Sequence, residues 1–139
     1  MIEIQQLRDV RIEQFHQIQD LFGTLSEHSV FSPDMLAETL KSSLLYVAVQ
    51  NERIVGMATL CLFTSPSGRK ASVEDVVVHK DWQGKGVGRK LMNAIIDKAR
   101  ESCPITLQLT SRPERLVANL LYPSLGFQRK DTNFYVLKL

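Results

Sequence analysis

The chain has 139 residues, and 44% of them are hydrophobic. Its 17 basic and 15 acidic side chains leave a net charge of only +2. This length and apolar content suit a single domain over residues 1–139 that needs neither disulfides nor a structural metal, and two cysteines are too few for either framework. The small net charge indicates no nucleic-acid partner, and the lack of a secretory signal or an apolar run of about 20 residues predicts a cytoplasmic protein with no membrane partner.

The first elements are predicted to be one strand and two helices. The stretch IEIQQL (residues 2–7) alternates as a half-buried strand does, and apolar residues recur at helical spacing over residues 10–25. Ser32 and Pro33 favour a second helix over residues 34–43, because serine caps helix N-termini and proline suits the first helical position. His28 falls in this early part of the chain and is expected at the surface.

The middle of the chain is predicted to be three strands. LLYVAVQ (44–50) and RIVGMATLCLF (53–63) are apolar-rich and are separated by Asn51 and Glu52, which predicts an antiparallel hairpin with a tight polar turn. TSPSGRK (64–70) is predicted to be a loop, and ASVEDVVVH (71–79) a fourth strand. His79, at the end of that strand, is expected to pack against Trp82.

The last part continues with a helix from residue 86 to about residue 102, broken by Pro104, and a fifth strand in ITLQLT (105–110). A further helix is predicted over residues 114–122, and a closing pair of short strands in residues 126–139. The fold class is therefore expected to be α/β (α+β). Its mixed, mostly antiparallel sheet would have about seven strands, flanked by about four helices.

The stretch QGKGVG (83–88) lies between the fourth strand and the following helix. Its spacing fits neither the dinucleotide fingerprint nor the nucleoside-triphosphate loop. Glycines in such a turn leave backbone N–H groups unobstructed, and the N–H groups at a helix start attract anions. Lys85, Arg89 and Lys90 add positive charge. The stretch is therefore predicted to cradle an anion as bulky as a diphosphate.

Residues 83–88 resemble the segment of the GNAT superfamily of N-acetyltransferases in which Gln or Arg is followed, three residues later, by Gly and then by a second small residue. NLLYPSLGF (119–127) is similar to the late helix of that family, and the order of elements resembles it over essentially the whole chain. The resemblance implies a GNAT-like fold with acetyl-CoA as co-substrate. It also implies direct acetyl transfer, in a ternary complex, to a primary amine on a small molecule or peptide. Small proteins of this kind often form homodimers.

The resemblance assigns the cofactor residues. The pantetheine would lie along the fourth strand, pairing with backbone groups of Val76, Val77 and Val78. The residues expected around the diphosphate are Gln83, Gly84, Lys85, Gly86, Val87, Gly88 and Arg89. Asn119 would help to hold the cofactor or the bend of the late helix. No metal is expected.

The resemblance also suggests catalytic residues. Tyr122 matches the general acid of the family, and a phenol with a pKa near 10 is protonated at neutral pH. Pro123 departs from the family pattern, because proline removes a helical hydrogen bond and can displace the phenol. Glu74 is the first candidate for the base that accepts the amine proton, and Asp75 is the second. Strict alternation would put these two carboxylates on opposite faces of the strand.

Two alternatives stay open. VEDVVV (73–78) is similar to the strand of glucosamine-6-phosphate N-acetyltransferases, whereas residues 110–127 look more like bacterial members without an assigned acceptor. A catalytically silent module that binds acyl-CoA or a protein partner is the other alternative. The acceptor pocket is expected to be formed by the two early helices and by loops such as residues 64–70.

Overall fold

The structure is a computed structural model that describes residues 1–25 and 31–139, so the predicted surface position of His28 lies outside the described residues. It comprises two compact units, Met1–Leu109 and Thr110–Leu139. The single domain expected over residues 1–139 stays a prediction. No helix among the described residues has the length and hydropathy needed to cross a membrane.

The first unit contains a five-stranded sheet, ordered β1-β2-β3-β4-β5 among its described residues. Neighbouring strands run antiparallel except β4 and β5, which are parallel. The elements in chain order are β1 (Glu3–Leu7), α1 (Ile12–Phe22), α2 (Pro33–Ser42), β2 (Leu44–Gln50), β3 (Arg53–Ser65), β4 (Gly68–Val78), a 3₁₀ turn (Lys80–Trp82), α3 (Val87–Arg100) and β5 (Ile105–Gln108). The predicted mixed, mostly antiparallel sheet is confirmed.

Local signals place two of these elements as the sequence predicts. The Ser32 hydroxyl accepts a hydrogen bond from the Met35 N–H (3.1 Å) at the start of α2, and Pro33 takes the first helical position. Asn51 and Glu52 join β2 to β3 with φ angles of 51° and 64°. Two successive left-handed residues define the hairpin turn that matches the twist of paired strands.

The loop predicted over residues 64–70 is wrong, because most of that stretch is paired strand. β3 runs to Ser65 and β4 starts at Gly68, so the connection is only Pro66 and Ser67. Gly68 has a φ of 133°, which side-chain-bearing residues rarely adopt, and it therefore allows the tight reversal. This stretch cannot supply the loop that was expected to shape an acceptor pocket.

The sheet buries both of its faces. On one face, Met57 of β3 packs in a buried cluster with Ile18 and Leu21 of α1. On the other face, Val87 and Leu91 of α3 approach Gly56, the residue before Met57. Successive residues of a strand point to opposite faces, so α1 and α3 cover opposite sides of the sheet. Each fully buried Leu or Ile contributes roughly 1.5–3 kcal/mol to folding.

Gly56 sets how closely α3 can approach the sheet. A Cβ atom at this position would lie 3.2 Å from Leu91 Cδ1, from Val87 Cγ1 and from the Val77 carbonyl oxygen. Separations that short are repulsive, and one of the three neighbours is backbone that yields little. A larger residue at position 56 would therefore have to displace these neighbours by a few tenths of an ångström, so glycine suits the observed position of α3.

We expect Gly56→Ala to lower the free energy of unfolding by about 1–3 kcal/mol, because the added methyl overpacks the contact between β3 and α3. Gly23→Ala is the matched control. Gly23 has a φ of −61°, and the nearest atom to a Cβ there would be 3.5 Å away. The control should be neutral or stabilise by about 0.4–1 kcal/mol. Urea denaturation measures both, and equal stability of the two variants would contradict the close approach of α3.

The second unit contains one helix, α4 (Leu116–Ser124), and the closing pair of strands predicted over residues 126–139 is wrong, because that segment forms no strand. The sheet of the described residues therefore has five strands rather than about seven. The physical reason is that this segment has no neighbouring strand to pair with. Alternating apolar residues give a segment one apolar face, but a strand also needs a hydrogen-bonded partner. Tyr135 and Leu137 are 85% and 82% exposed, so no sheet or core covers them.

Candidate functional site

The glycine stretch forms an open concave turn at the start of α3. Gly84 and Gly86 have φ angles of 77° and 80°, and a Cβ atom at either position would meet no atom within 4 Å. The first hydrogen bond of α3 runs from the Lys90 N–H to the Gly86 carbonyl (3.1 Å), so the N–H groups of Val87 and Gly88 have no intrahelical acceptor. Glycine at the N-cap offers no side chain to cap them. This arrangement fits a phosphate or diphosphate.

The other residues assigned to the diphosphate take different positions. The Gln83 side-chain amide donates to the Val78 carbonyl (3.1 Å), so it ties the turn to the end of β4. Val87 is 1% exposed, so it can contact a ligand only through its main chain. Lys85 and Arg89 are exposed beside the turn, where their charges can approach an anion.

A cluster around Trp82 supports the turn from the side of the β2–β3 hairpin. The Trp82 indole N–H donates to Gln50 Oε1 (2.6 Å), and the Arg53 guanidinium lies 5.1 Å from the ring centroid. The predicted contact of His79 with Trp82 is confirmed, with ring centroids 5.1 Å apart. The sequence gives no sign of Gln50 or Arg53, because strand pairing rather than local spacing brings them to Trp82.

A β-bulge interrupts β4 before the turn. Thr59 of β3 pairs with Glu74 and Met57 pairs with Val77, so the single residue between them on β3 opposes both Asp75 and Val76. Asp75 adopts a φ of 52°, in the left-handed region. Strict alternation would place Glu74 and Asp75 on opposite faces. The bulge instead brings both carboxylates to the face of Thr59. Glu74 lies on that face because it is the cross-strand partner of Thr59, and Asp75 lies there because it lines the same cavity as Thr59.

The pairing of β4 with β5 ends before the bulge. Its last pair is Ser72 with Gln108, so β5 does not cover the second half of β4. The His79 N–H donates to the Val55 carbonyl (2.8 Å) on β3. Because successive residues alternate between the two edges, the peptide groups of Val78 face the edge that β5 leaves uncovered. The Val77 side chain, in contrast, is part of the buried cluster.

A cavity of about 90 Å³ lies between α1, α2 and the bulge. Its apolar lining comprises Ile18, Phe22, Phe31, Met35, Leu36, Leu45 and Met57. Its polar lining comprises Ser32, Thr39, Thr59 and Asp75. The first two of these hydroxyls are engaged within α2: Ser32 Oγ accepts from the Met35 N–H, and Thr39 donates to the Met35 carbonyl. Asp75 is the only ionisable group among the described lining residues.

The two carboxylates of the bulge have different surroundings. Burial raises the pKa of the Asp75 carboxyl, and the adjacent Glu74 carboxylate raises that pKa further. Both residues keep exposed surface, so the burial of the Asp75 carboxyl is partial, and Glu74 accepts a hydrogen bond from the Ser72 hydroxyl (2.5 Å). The cavity therefore presents one carboxylate of raised basicity, with a second carboxylate beside it.

The remaining two predicted residues lie on α4 in the second unit. Tyr122 is 6% exposed, and burial raises the pKa of its phenol while the Arg115 guanidinium opposes that rise. The phenol is therefore protonated at neutral pH. The Asn119 amide donates to the Arg112 carbonyl (2.8 Å) and so holds the start of α4. Pro123 does not end the helix ahead of Tyr122, because α4 continues to Ser124.

A comparison with known protein families identifies the family of the chain. Residues 5–127 match the family model described as the Acetyltransferase (GNAT) family. Because this match covers most of the 139 residues, the chain belongs to the GNAT family of acetyltransferases. The resemblance noted in the sequence is thereby confirmed.

Individual relatives cover parts of the chain. The L-amino acid N-acyltransferase MnaT of Escherichia coli is 38% identical over 93 residues, which make up 66% of this chain and 54% of that protein. The L-methionine sulfoximine/L-methionine sulfone acetyltransferase of Salmonella typhimurium is 34% identical over 82 residues, or 58% of this chain and 48% of that protein. The chain thus spans about half the length of the curated relatives it matches.

A solved structure shares the fold over nearly its whole length. It is an aminoglycoside acetyltransferase from an uncultured soil metagenomic sample, in complex with trehalose. The two chains superpose with a TM-score of 0.83 and are 21% identical, over 99% of this chain and 97% of that one. At this level of identity the likeness concerns the fold alone.

We expect Asp75→Asn to raise the free energy of unfolding at neutral pH. The folded-state pKa of Asp75 lies above its unfolded value, so ionising this group opposes folding. The penalty is absent below the unfolded pKa of about 3.9 and grows as pH rises through the folded pKa. Asparagine removes the charge and tolerates the left-handed backbone. The gain should therefore appear at neutral pH and vanish in acid.

Urea denaturation across this pH range measures that effect. The control is Asp9→Asn, a change of the same chemistry at an exposed residue outside the strands and helices. Its pH profile should match that of the wild type. A gain for Asp75→Asn that is the same in acid as at neutral pH would show that the carboxylate charge is not its cause.

Proposed function

We propose that the protein transfers an acetyl group from acetyl-CoA to a primary amine, directly and in a ternary complex. The observation that carries the proposal is the open glycine turn at the start of α3, directly after a bulged strand whose second half β5 leaves uncovered. The names of the two curated relatives, an acyltransferase and an acetyltransferase for amino acids, support the same kind of reaction. Homodimer formation stays a prediction.

The first unit would hold the co-substrate largely through main-chain groups. The N–H groups of Val87 and Gly88 would bind the diphosphate at Gly84 and Gly86, with Lys85 and Arg89 adding charge. The Val78 N–H would donate to a pantetheine carbonyl, as the neighbouring strand accepts elsewhere in a sheet, while the Val78 carbonyl already accepts from Gln83. Val76, the second residue of the bulge, would continue this surface, and Val77, whose side chain is buried, would support it. Asn119, in the second unit, would act by holding the start of α4.

The carboxylates of the bulge would prepare the amine. An amine attacks only after its ammonium form has lost a proton, and a carboxylate of raised pKa is a better acceptor for that proton. The geometry favours Asp75 for this task, because Asp75 lines the cavity, whereas Glu74 is not among the lining residues and is bonded to Ser72. Glu74 would make the electrostatic potential around the amine more negative. If a water molecule relays the proton, Glu74 would be the base that accepts it.

Tyr122 would complete the transfer as the general acid. The new C–N bond forms as the C–S bond of the thioester breaks, and the leaving sulfur takes the phenolic proton. A phenol whose pKa burial raises is protonated at neutral pH and is therefore available as a donor. The nitrogen would lose a second proton as the amide forms, and that proton would restore the Tyr122 phenol through solvent. The first proton, taken by Asp75 or Glu74, would be released to solvent as the one net proton of the reaction.

Acetyl-CoA should raise the unfolding midpoint, since a ligand at about 100 times its dissociation constant adds roughly 2.7 kcal/mol. Thermal unfolding with acetyl-CoA, with ATP and with NAD measures this. Gly86→Ala should greatly reduce the acetyl-CoA effect, because a methyl group would occupy the open turn. Gly68→Ala, also at a positive φ with open space around it, should keep the effect. A rise shared with ATP would argue against the proposed ligand.

Tyr122→Phe should lower kcat for thiol release roughly 100-fold or more while acetyl-CoA still raises the unfolding midpoint. The matched control is Tyr135→Phe, which removes the same hydroxyl from a side chain that is 85% exposed. Thiol release is followed with a thiol-reactive dye at several amine concentrations. Equal kcat values for the Tyr122→Phe variant and the wild type would remove Tyr122 from the mechanism.

A further inference from the structure

We propose that the acceptor is a small primary amine carried on an uncharged, apolar group, with no carboxylate or phosphate near the amine. This inference rests on the proposed acetyl transfer and names the substrate class of the same site. It is drawn from the cavity between α1, α2 and the bulge of β4. The two curated relatives are named for amino acid acceptors. The proposed class differs from those acceptors, because an amino acid carries a carboxylate next to its amine.

The chemistry of the cavity wall suits such an amine. Asp75 is available for the ammonium group, and Thr59 lines the same cavity. Thr59 is only 7% exposed, and its hydroxyl oxygen carries two acceptor lone pairs. It can therefore accept an N–H of the acceptor. Most of the remaining wall is apolar, and Phe22, Met35 and Leu36 line the helix side. An alkyl group gains free energy by leaving water for such a surface.

The size of the cavity sets a limit on that alkyl group. About 90 Å³ is less than the roughly 150 Å³ of an engineered apolar cavity that takes up benzene. A short branched or linear chain therefore fits better than a sugar ring or a long peptide side chain. Larger parts of an acceptor would have to remain outside the cavity.

The charges around the cavity exclude a second anionic group on the acceptor. No Lys, Arg or His is found among the described residues that line the cavity. Two carboxylates already meet at the bulge, so an acid beside the acceptor amine would be repelled rather than paired. The cations Arg8 and Lys41 line another cavity, which shares no lining residue with this one.

Three acceptors with the same alkyl group test the proposal: leucine, leucinamide and isoamylamine. They differ in the carboxylate, which is present, masked as an amide, or absent. We expect kcat/KM for isoamylamine and leucinamide, corrected for the unprotonated fraction of each amine, to exceed that for leucine at least about tenfold. Glucosamine and glucosamine-6-phosphate, offered in the same assay, should both be poor acceptors.

Met35→Lys tests the charge argument separately. Met35 is 50% exposed and lines the cavity, so a lysine there can place an ammonium group near a carboxylate on the acceptor. The variant should raise kcat/KM for leucine and shrink the preference for isoamylamine to roughly threefold or less. Met35→Gln, which is similar in length but uncharged, should keep the wild-type preference. Thermal unfolding of both variants with acetyl-CoA checks that the fold and the co-substrate site are intact.

The outcomes separate this inference from the proposed function. If leucine is acetylated as well as isoamylamine, or better, the acceptor class is wrong while acetyl transfer to an amine stands. If the Gln and Lys variants change the preference equally, charge does not set it and the inference is overturned. If acetyl-CoA stabilises the protein but none of these amines accelerates thiol release, the proposed function fails with it.

Discussion

The extra residue in β4 is the constraint on which the candidate site depends. Without the bulge, strand alternation would turn Asp75 away from the helices α1 and α2, and the cavity there would have no charged group. The bulge requires a non-glycine residue in the left-handed region, which costs roughly 1–2 kcal/mol. It also places two carboxylates on one face, where the Glu74 carboxylate disfavours ionisation of Asp75. Such unfavourable local features persist only where the surrounding structure enforces them, and here β3 fixes the register on both sides.

The turn that would hold the co-substrate depends on contacts far away in the chain. Its glycines make it open, but its position is fixed by the Trp82 cluster on one side and by Gly56 beneath α3 on the other. Both supports come from the β2–β3 hairpin. The hairpin would therefore be the base of the proposed anion site, and its own turn at Asn51 and Glu52 lies outside the cavity and the glycine turn.

Whether a feature depends on neighbouring residues or on distant contacts decides whether it could be predicted from the sequence. The helix start at Ser32, the hairpin turn at Asn51 and the glycine turn all depend on neighbouring residues, and local pattern is enough for them. The bulge at Asp75 and the close approach at Gly56 depend on the pairing of β4 with β3 and the packing of α3, which no local pattern encodes. The closing strands failed for the same reason: the alternation in residues 126–139 is real, but a strand also needs a partner.

The electrostatics of the bulge connect the chemistry to the choice of acceptor. A carboxylate that burial and a like charge make more basic attracts an ammonium group strongly and is ready to take its proton. The same field repels any anion that the acceptor carries beside its amine. An acceptor that carries a carboxylate beside its amine needs a cation to pair with it, and the described wall of this cavity supplies none. On the acceptor class proposed above, a single lysine or arginine at the rim would therefore change the preferred acceptor, while the glycine turn and the bulge stay the same.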